Sequence, residues 1–523
     1  MALESLTNLS LTFTRMLLGI IVLSATVSPQ IVPEFVIHDD TSSGQYGPAI
    51  SIDENNNLNI VWASDDSLYL AILDTTGKVV RRPLPFARSQ NPSHLKIDSY
   101  GDHKAVVWQN FSSDPDGSTD MRGILLNMNG EPIGSGLPWE SVGRNDALPD
   151  VAFINDTTLC LVWMGSSSSW LTGVDVYSQL VTTSLRLERS RFKVNQDSIE
   201  YLDNMRPRIT AAPGNGAGVV VWYDERTGFP QVYGQRLDDT GMPIDTTFQI
   251  SEIPTFTDGL LIANDMTIAV DMHIDGSFAV VWSHLGMGGS LQSLWLRRYN
   301  PDGAPTGEMS KVSNSDNLNL SSYWNGIDIA YDDNGQFVIV WEEMVESLVI
   351  IMSQRFSAEG NRIGGNISLQ SVGNITEFEP AVALHNGNIY LAKYVTRVEG
   401  DLPQVTLSVW DFDHPLGIPA GVIPIPTKFG LYPAYPNPFN PNTTLSYDLP
   451  SAAKMSLVIY DVTGRKIAGW SAQKEAGSYR QIWAGQDASG KPLPSGVYLY
   501  RLVATPTDGS EAFVETRKML LLK

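Results

Sequence analysis

An apolar run ending in tryptophan recurs along the chain, a polar turn precedes each copy, and a proline-rich stretch then sets off a last segment with a different strand pattern. Together these predict an all-β protein: a seven-bladed β-propeller over residues 31–412, a linker over 413–430 and a β-sandwich over 431–523. At 523 residues the chain exceeds one ordinary core, so several domains are expected. Hydrophobic residues at 42% against 18% charged supply enough apolar surface for folded domains.

Residues 1–30 come first. Arg15, the apolar run Met16 to Leu23 and the small residues after it have the layout of a secretory signal. The run is too short for a permanent membrane span, and no other stretch reads as one.

The repeat carries the architecture. Trp62, Trp108, Trp163, Trp222, Trp282 and Trp341 end six apolar runs, and Tyr390 to Tyr394 is a diverged seventh. Successive copies lie 46, 55, 59, 60, 59 and 53 residues apart, the length of one four-stranded blade with its loops. In the fourth copy, Arg208 to Ala212 predicts an inner strand and Pro213-Gly214-Asn215-Gly216 a hairpin turn. Val219 to Trp222, Gln231 to Leu237 and Phe248 to Ser251 then complete four strands.

Outer strands are predicted at Leu84 to Phe86, Pro138 to Glu140, Phe192 to Val194, Phe248 to Ile250, Lys311 to Ser313 and Ile367 to Leu369, six for seven units. The seventh unit ends at Val405 to Trp410, while Glu34 to Ile37 stands alone before the first blade. Pairing 34–37 with 405–410 would close a ring, which removes open sheet edges and favours a propeller over a solenoid or separate sandwiches. The tryptophans, ending apolar strands, read as packing between blades.

Lys plus Arg number 35 against 57 Asp plus Glu, a formal charge of -22, which excludes nucleic acid as the expected partner because phosphate binding needs basic surface. The single cysteine, Cys160, lies in an apolar run and reads as a small core residue.

The prolines 415, 419, 424 and 426 mark the linker. Beyond it, strands are expected at 443–449, 454–461, 465–471, 478–484, 496–504 and 511–522. This segment holds Tyr435-Pro436-Asn437-Pro438-Phe439-Asn440-Pro441 and then Tyr460-Asp461-Val462-Thr463-Gly464-Arg465. Trp483 to Gly490, Gly496-Val497-Tyr498 and an ending around Lys518 follow. Each has a mechanical reading: glycines shape hairpins, prolines stiffen the entry, and Tyr460, Trp483 and Tyr498 fill a core.

In this order the motifs resemble the type A sorting domain of type IX secretion cargo, whose fold is similar to the FlgD-like immunoglobulin domain. The resemblance implies an immunoglobulin-like sandwich. It also implies a bacterial protein carried across the inner membrane by its signal and across the outer membrane by secretion machinery that reads this domain. The destination is the cell surface or the medium.

For chemistry the sequence offers little. No histidine pair has zinc-ligand spacing. Gly485 to Lys491 fits the start of a phosphate-binding loop, but Pro492 stands where a magnesium-binding hydroxyl belongs. Asp53 to Asn57 and Asp332 to Gly335 offer oxygen ligands as calcium loops do, yet hairpin-turn chemistry explains them, so no cofactor is expected. No nucleophile elbow or acid pair can be named, and the expected function is non-catalytic binding of an extracellular glycan or protein. The alternative is a polysaccharide hydrolase with carboxylates meeting at the propeller axis. Ligand contacts are expected on loops after the tryptophan strands and between blades: Asp65, Asp66, Trp170, Tyr201, Asp224, Glu225, Arg226, Tyr323, Trp324, Glu342 and Glu343.

Overall fold

The computed structural model describes residues 32–38, 43–111, 119–143, 146–166, 173–196, 204–212, 217–228, 230–252, 266–285, 292–314, 326–345, 348–369, 375–397, 402–412, 418–419, 429–432, 434, 437, 439, 443–474, 477–487, 490–507 and 509–522. Residues 1–30 lie outside this set. No helix occurs among the described residues, so none is long and apolar enough to cross a membrane.

Seven antiparallel sheets of four strands follow one another along the chain. Their first strands are Gln45–Ile52, Pro92–Tyr100, Ala147–Asn155, Asn204–Ala212, Ile268–Met272, Ile327–Tyr331 and Ile375–His385. Each lies against the first strand of the next sheet, and that of the seventh lies against that of the first, a propeller-like arrangement. The seventh sheet takes its outermost strand from the other end of the chain. Val32–Val36 pairs antiparallel with Gln404–Asp411, matching Val32 to Val409 and Phe35 to Leu407. The Ile37 N–H donates to the Val405 carbonyl.

One apolar cluster forms at every junction between sheets, and each contains one tryptophan. Trp62 packs between sheets seven and one, Trp108 between one and two, and Trp163 between two and three. Trp222, Trp282 and Trp341 continue the series, each against the preceding sheet. Large flat side chains on a strand buried on both faces are what seal two twisted sheets, each contributing roughly 3–5 kcal/mol against alanine.

The seventh unit departs from expectation. Register aligns Ala392 with Val61, so Lys393, not Tyr394, occupies the tryptophan position. The junction between sheets six and seven is filled instead by Trp410 from the third strand. Lys393 is buried and pairs with Glu34 of the N-terminal strand at 3.2 Å.

Two further expectations are corrected. The outer strand of sheet two is Pro132–Ile133. Pro138 to Glu140 crosses to sheet three instead, where Gln179 donates to the Pro138 carbonyl and accepts from the Glu140 N–H. Trp139 packs near Trp163 there. Within the stretch read as linker, Ile418–Pro419 pairs with Arg362–Ser368, adding a fifth strand to sheet six, and Gly430–Leu431 already belongs to the sandwich. Proline is tolerated at such an outer edge because no further strand needs its missing N–H.

The C-terminal sandwich has a three-stranded sheet, Gly430–Leu431, Thr443–Leu449 and Gly477–Trp483, and a four-stranded one in the order Lys466–Lys474, Ala453–Asp461, Gly496–Pro506, Phe513–Leu521. Their inner faces share one core that includes Phe439, Tyr447, Leu457, Trp483, Tyr498 and Tyr500.

Candidate functional site

The innermost strands share a bulge. In sheets one, two, three, four and seven the ladder slips by one residue at Gly47-Pro48, His94-Leu95, Leu148-Pro149, Arg206-Pro207 and Glu379-Pro380. The first residue of each has positive φ, between 49° and 59°. The left-handed conformation costs a non-glycine residue about 1 kcal/mol or more, and bulges that bear it gather at functional sites. The proline that follows in four of the five needs no partner for its missing N–H on an innermost strand. This X-Pro pattern was present in the sequence as an unused signal.

Past the bulge, register stacks the side chains in rings. The residue facing the position before each tryptophan is Lys96, Asp150, Arg208 or Asp328 in sheets two, three, four and six, and alanine in the other three. Two residues further on stand Ser51, Asp98, Thr210 and Asp271, again with alanine elsewhere. Both rings, with Glu379, line a cavity of about 330 Å³ between the seven innermost strands.

These polar groups bridge all seven junctions. Asp98 accepts from the Phe153 N–H (2.8 Å), Asp150 from Ile209 (3.1 Å), Asp271 from Tyr331 (2.8 Å) and Asp328 from Val382 (2.8 Å), each across to the next sheet. Thr210 donates to Asp271 (3.2 Å), Ser51 and Ser99 share a bond of 2.6 Å, and Glu379 accepts from the Gly47 N–H. Five of the seven satisfy innermost-strand N–H groups, and the other two join side chains.

Burial dominates the electrostatics. It pushes Asp98 up to about 6 and Asp271 up to about 7, against the hydrogen bonds that favour their charged forms. Glu379 rises to about 7 through burial and then the adjacent Glu342. His94 falls to about 3 through burial and then the charges of Arg208, Arg206 and Lys96, so it is neutral. An acid with a higher pKa folded than unfolded holds more protons in the folded state between the two values, so stability falls as pH rises through that window. The protein is therefore expected to melt at a higher temperature near about pH 5 than near about pH 8. A melting temperature that is flat or rising across that range refutes this.

Of the sequence-predicted contacts, Trp170, Tyr201, Tyr323 and Trp324 lie outside the described residues. Asp224 is 0% exposed and sits beneath its loop. Its carboxylate accepts from the Trp222 indole (3.0 Å) and pairs with Arg226 (2.5 Å), whose guanidinium stacks on Tyr233. The Asp224–Arg226 pair thus clamps the end of sheet four, because a buried charge needs its partner. Glu342 is likewise buried and accepts from the Glu379 N–H. In the two calcium-like turns, Asp53 accepts from the N–H groups of Asn55 and Asn57, and Asp332 from those of Asn334 and Gln336. No group of three or more metal-ligating side chains occurs among the described residues.

The sorting-motif residues form a second site. Asn437 accepts from the Leu520 N–H (2.8 Å) and donates to the Lys518 carbonyl, while Phe439, buried, bridges to Leu521. The motif thus ties its own entry to the last strand. Tyr435, Pro436, Pro438, Asn440 and Pro441 lie outside the described residues. Asp461 caps a turn closed by Gly464 at φ 82°. Its side chain accepts from Thr463 (2.6 Å) and Arg465 (2.9 Å), bonds that hold it down to about 2. Tyr460 precedes it on the same strand and is only half-buried, outside the core cluster that holds Trp483 and Tyr498. Tyr498 meets Trp483 edge-on and donates to the Pro494 carbonyl, just before Gly496.

Residues 433–514 match the family described as the secretion system C-terminal sorting domain. No curated protein matches the chain. Solved structures similar to it include a protein of unknown function from Dyadobacter fermentans (9% identity, 72% of this chain, 97% of that one, TM-score 0.41). Others are the polysaccharide lyase Uly1 (12%, 70% and 90%, TM-score 0.45) and the Penicillium chrysogenum alpha-L-arabinanase complexed with arabinobiose (11%, 74% and 99%, TM-score 0.41).

Proposed function

We propose that this type IX secretion cargo, whose sorting domain occupies residues 433–514, is a non-catalytic binding protein built on a closed seven-bladed propeller with its ligand site at the axis. The sorting domain implies recognition by the secretion machinery and export through the periplasm to the cell surface or the medium. Its immunoglobulin-like sandwich is the part read during export, and residues 1–30 supply the signal for the first membrane. The propeller is then the part that works outside.

One observation carries the non-catalytic reading. Asp98, Asp150, Asp271 and Asp328 are each tied to a backbone N–H of the next sheet. Glycoside hydrolysis needs one carboxyl free to donate a proton and another free to attack or activate water. Acids that staple blades together serve that poorly.

A hydrolase is the second reading, favoured by Glu379 and Asp271, which face the cavity with pKa values near 7, as a general acid does. The exported protein, offered polysaccharide and peptide substrates, is expected to retain a ligand without turnover. Turnover that vanishes in Glu379→Gln would establish the hydrolase instead.

A further inference from the structure

The axial cavity holds charges of both signs. Lys96 and Arg208 enter from sheets two and four, and Asp328 and Glu379 from sheets six and seven. In a cycle of seven, Lys96 and Asp328 stand three sheets apart, as do Arg208 and Glu379, whereas Lys96 and Glu379 are separated by sheet one alone. Asp150 and Asp328 spend an oxygen on neighbouring backbone. Lys96 is different: among the described residues its ammonium makes no hydrogen bond and no ion pair, although it feels Arg208, Asp150, Asp328 and Glu379. Glu379 accepts one bond, from Gly47.

Lys96 and Glu379 come from the two sheets that flank sheet one, whose cavity-lining residues nearest the bulge are Pro48 and Ala49. Gly47 takes the bulge's left-handed conformation, φ +59°, without strain, and a Cβ there would stand 3.6 Å from the Glu379 carboxylate. The two groups are near enough to feel each other and do not pair. A cation and a carboxyl group that face one cavity without pairing to each other offer complementary partners to a solute that carries both charges.

We propose that the axial cavity binds a small zwitterion of the α-amino-carboxylate class, its carboxylate at Lys96 and its ammonium at Glu379. This rests on the binding reading above and names its ligand. The volume of about 330 Å³ lies at the low end of small-molecule sites and suits a free amino acid rather than a polymer segment. Arg208 stands beside Lys96 as a second cation for the carboxylate. Burial and then the Glu342 charge push Glu379 up to about 7, so near neutrality a good part of it carries a proton, which an arriving ammonium drives into the buffer.

Isothermal titration of the full exported protein with free amino acids, their N-acetyl derivatives and their amides tests this. Free amino acids are expected to bind, with each blocked form weaker by about ten- to a hundredfold. The measured heat should vary with the ionisation enthalpy of the buffer. Lys96→Met should remove the preference for free acid over amide, and Glu379→Gln the preference for free amine over N-acetyl, with thermal melting confirming that both variants fold. Absence of binding up to about 10 mM, or blocked forms binding as well as the parents, overturns the proposal. A uronic acid held through Lys96 but indifferent to Glu379→Gln overturns the amino-acid class and leaves the binding reading standing, whereas turnover of glycan or peptide removes that reading itself.

Discussion

Lys393→Ala is expected to cost about 3–5 kcal/mol of stability, among the largest effects of any single change in the chain. The ammonium lies 3.2 Å from the Glu34 carboxylate, and the two side chains are 0% and 2% exposed. Truncating the lysine leaves the Glu34 charge buried without its partner, on the N-terminal strand that completes the seventh sheet. Without that strand the third strand of the seventh sheet, Gln404–Asp411, becomes an open edge. The pair is not itself a net source of stability, since desolvation of both ions offsets most of their attraction. The double variant Lys393→Met with Glu34→Leu should therefore recover most of what the single change loses. Urea unfolding followed by tryptophan fluorescence reads this, and a single variant with an unshifted midpoint would refute the account.

Deleting residues 431–523 is expected to stop export while leaving the propeller folded in the periplasm. The segment contains the whole match to the sorting family, and its core is a separate cluster drawn from its own strands. Where the cut falls matters. Truncation after about Asp413, which the proline-rich composition suggests, would also remove Ile418–Pro419 and expose the outer strand Arg362–Ser368 of sheet six. A cut after Pro419 spares it. Fractionating a host that carries the longer form should find the protein in the periplasm and almost none outside. Normal amounts in the medium would mean that the sandwich is a stabilising cap and not a sorting signal.

Much of this fold is legible along the chain because it is written locally. An apolar strand buried on both faces must be continuously apolar, so the runs ending at Trp62, Trp108 and Trp163 announce themselves. The sandwich strands show the same clarity through alternation, as in Ala453–Asp461, whose buried residues fall at every second position. The pairing of Glu34 to Ile37 with the last repeat follows from counting strands. Less visible was Lys393, since a charged residue in a tryptophan position looks like divergence until Glu34 is seen opposite it. The turn Asp224-Glu225-Arg226 has the composition of an exposed loop, and only packing shows Asp224 beneath Trp222 and Arg226.

The repeat, the all-β class and the match to the sorting domain are legible in the chain because each depends on spacing or pattern within a few dozen residues, and the N-terminal strand of the seventh sheet because the repeats can be counted. Tertiary structure alone decided the axial site. Lys96, Asp150, Arg208, Asp328 and Glu379 come from five sheets, and apart from the prolines beside Asp150, Arg208 and Glu379 little local distinguishes them from other charged residues. They become one site because the innermost strands lie side by side around a common axis, where register sets each side chain's height and confinement makes their charges act on one another.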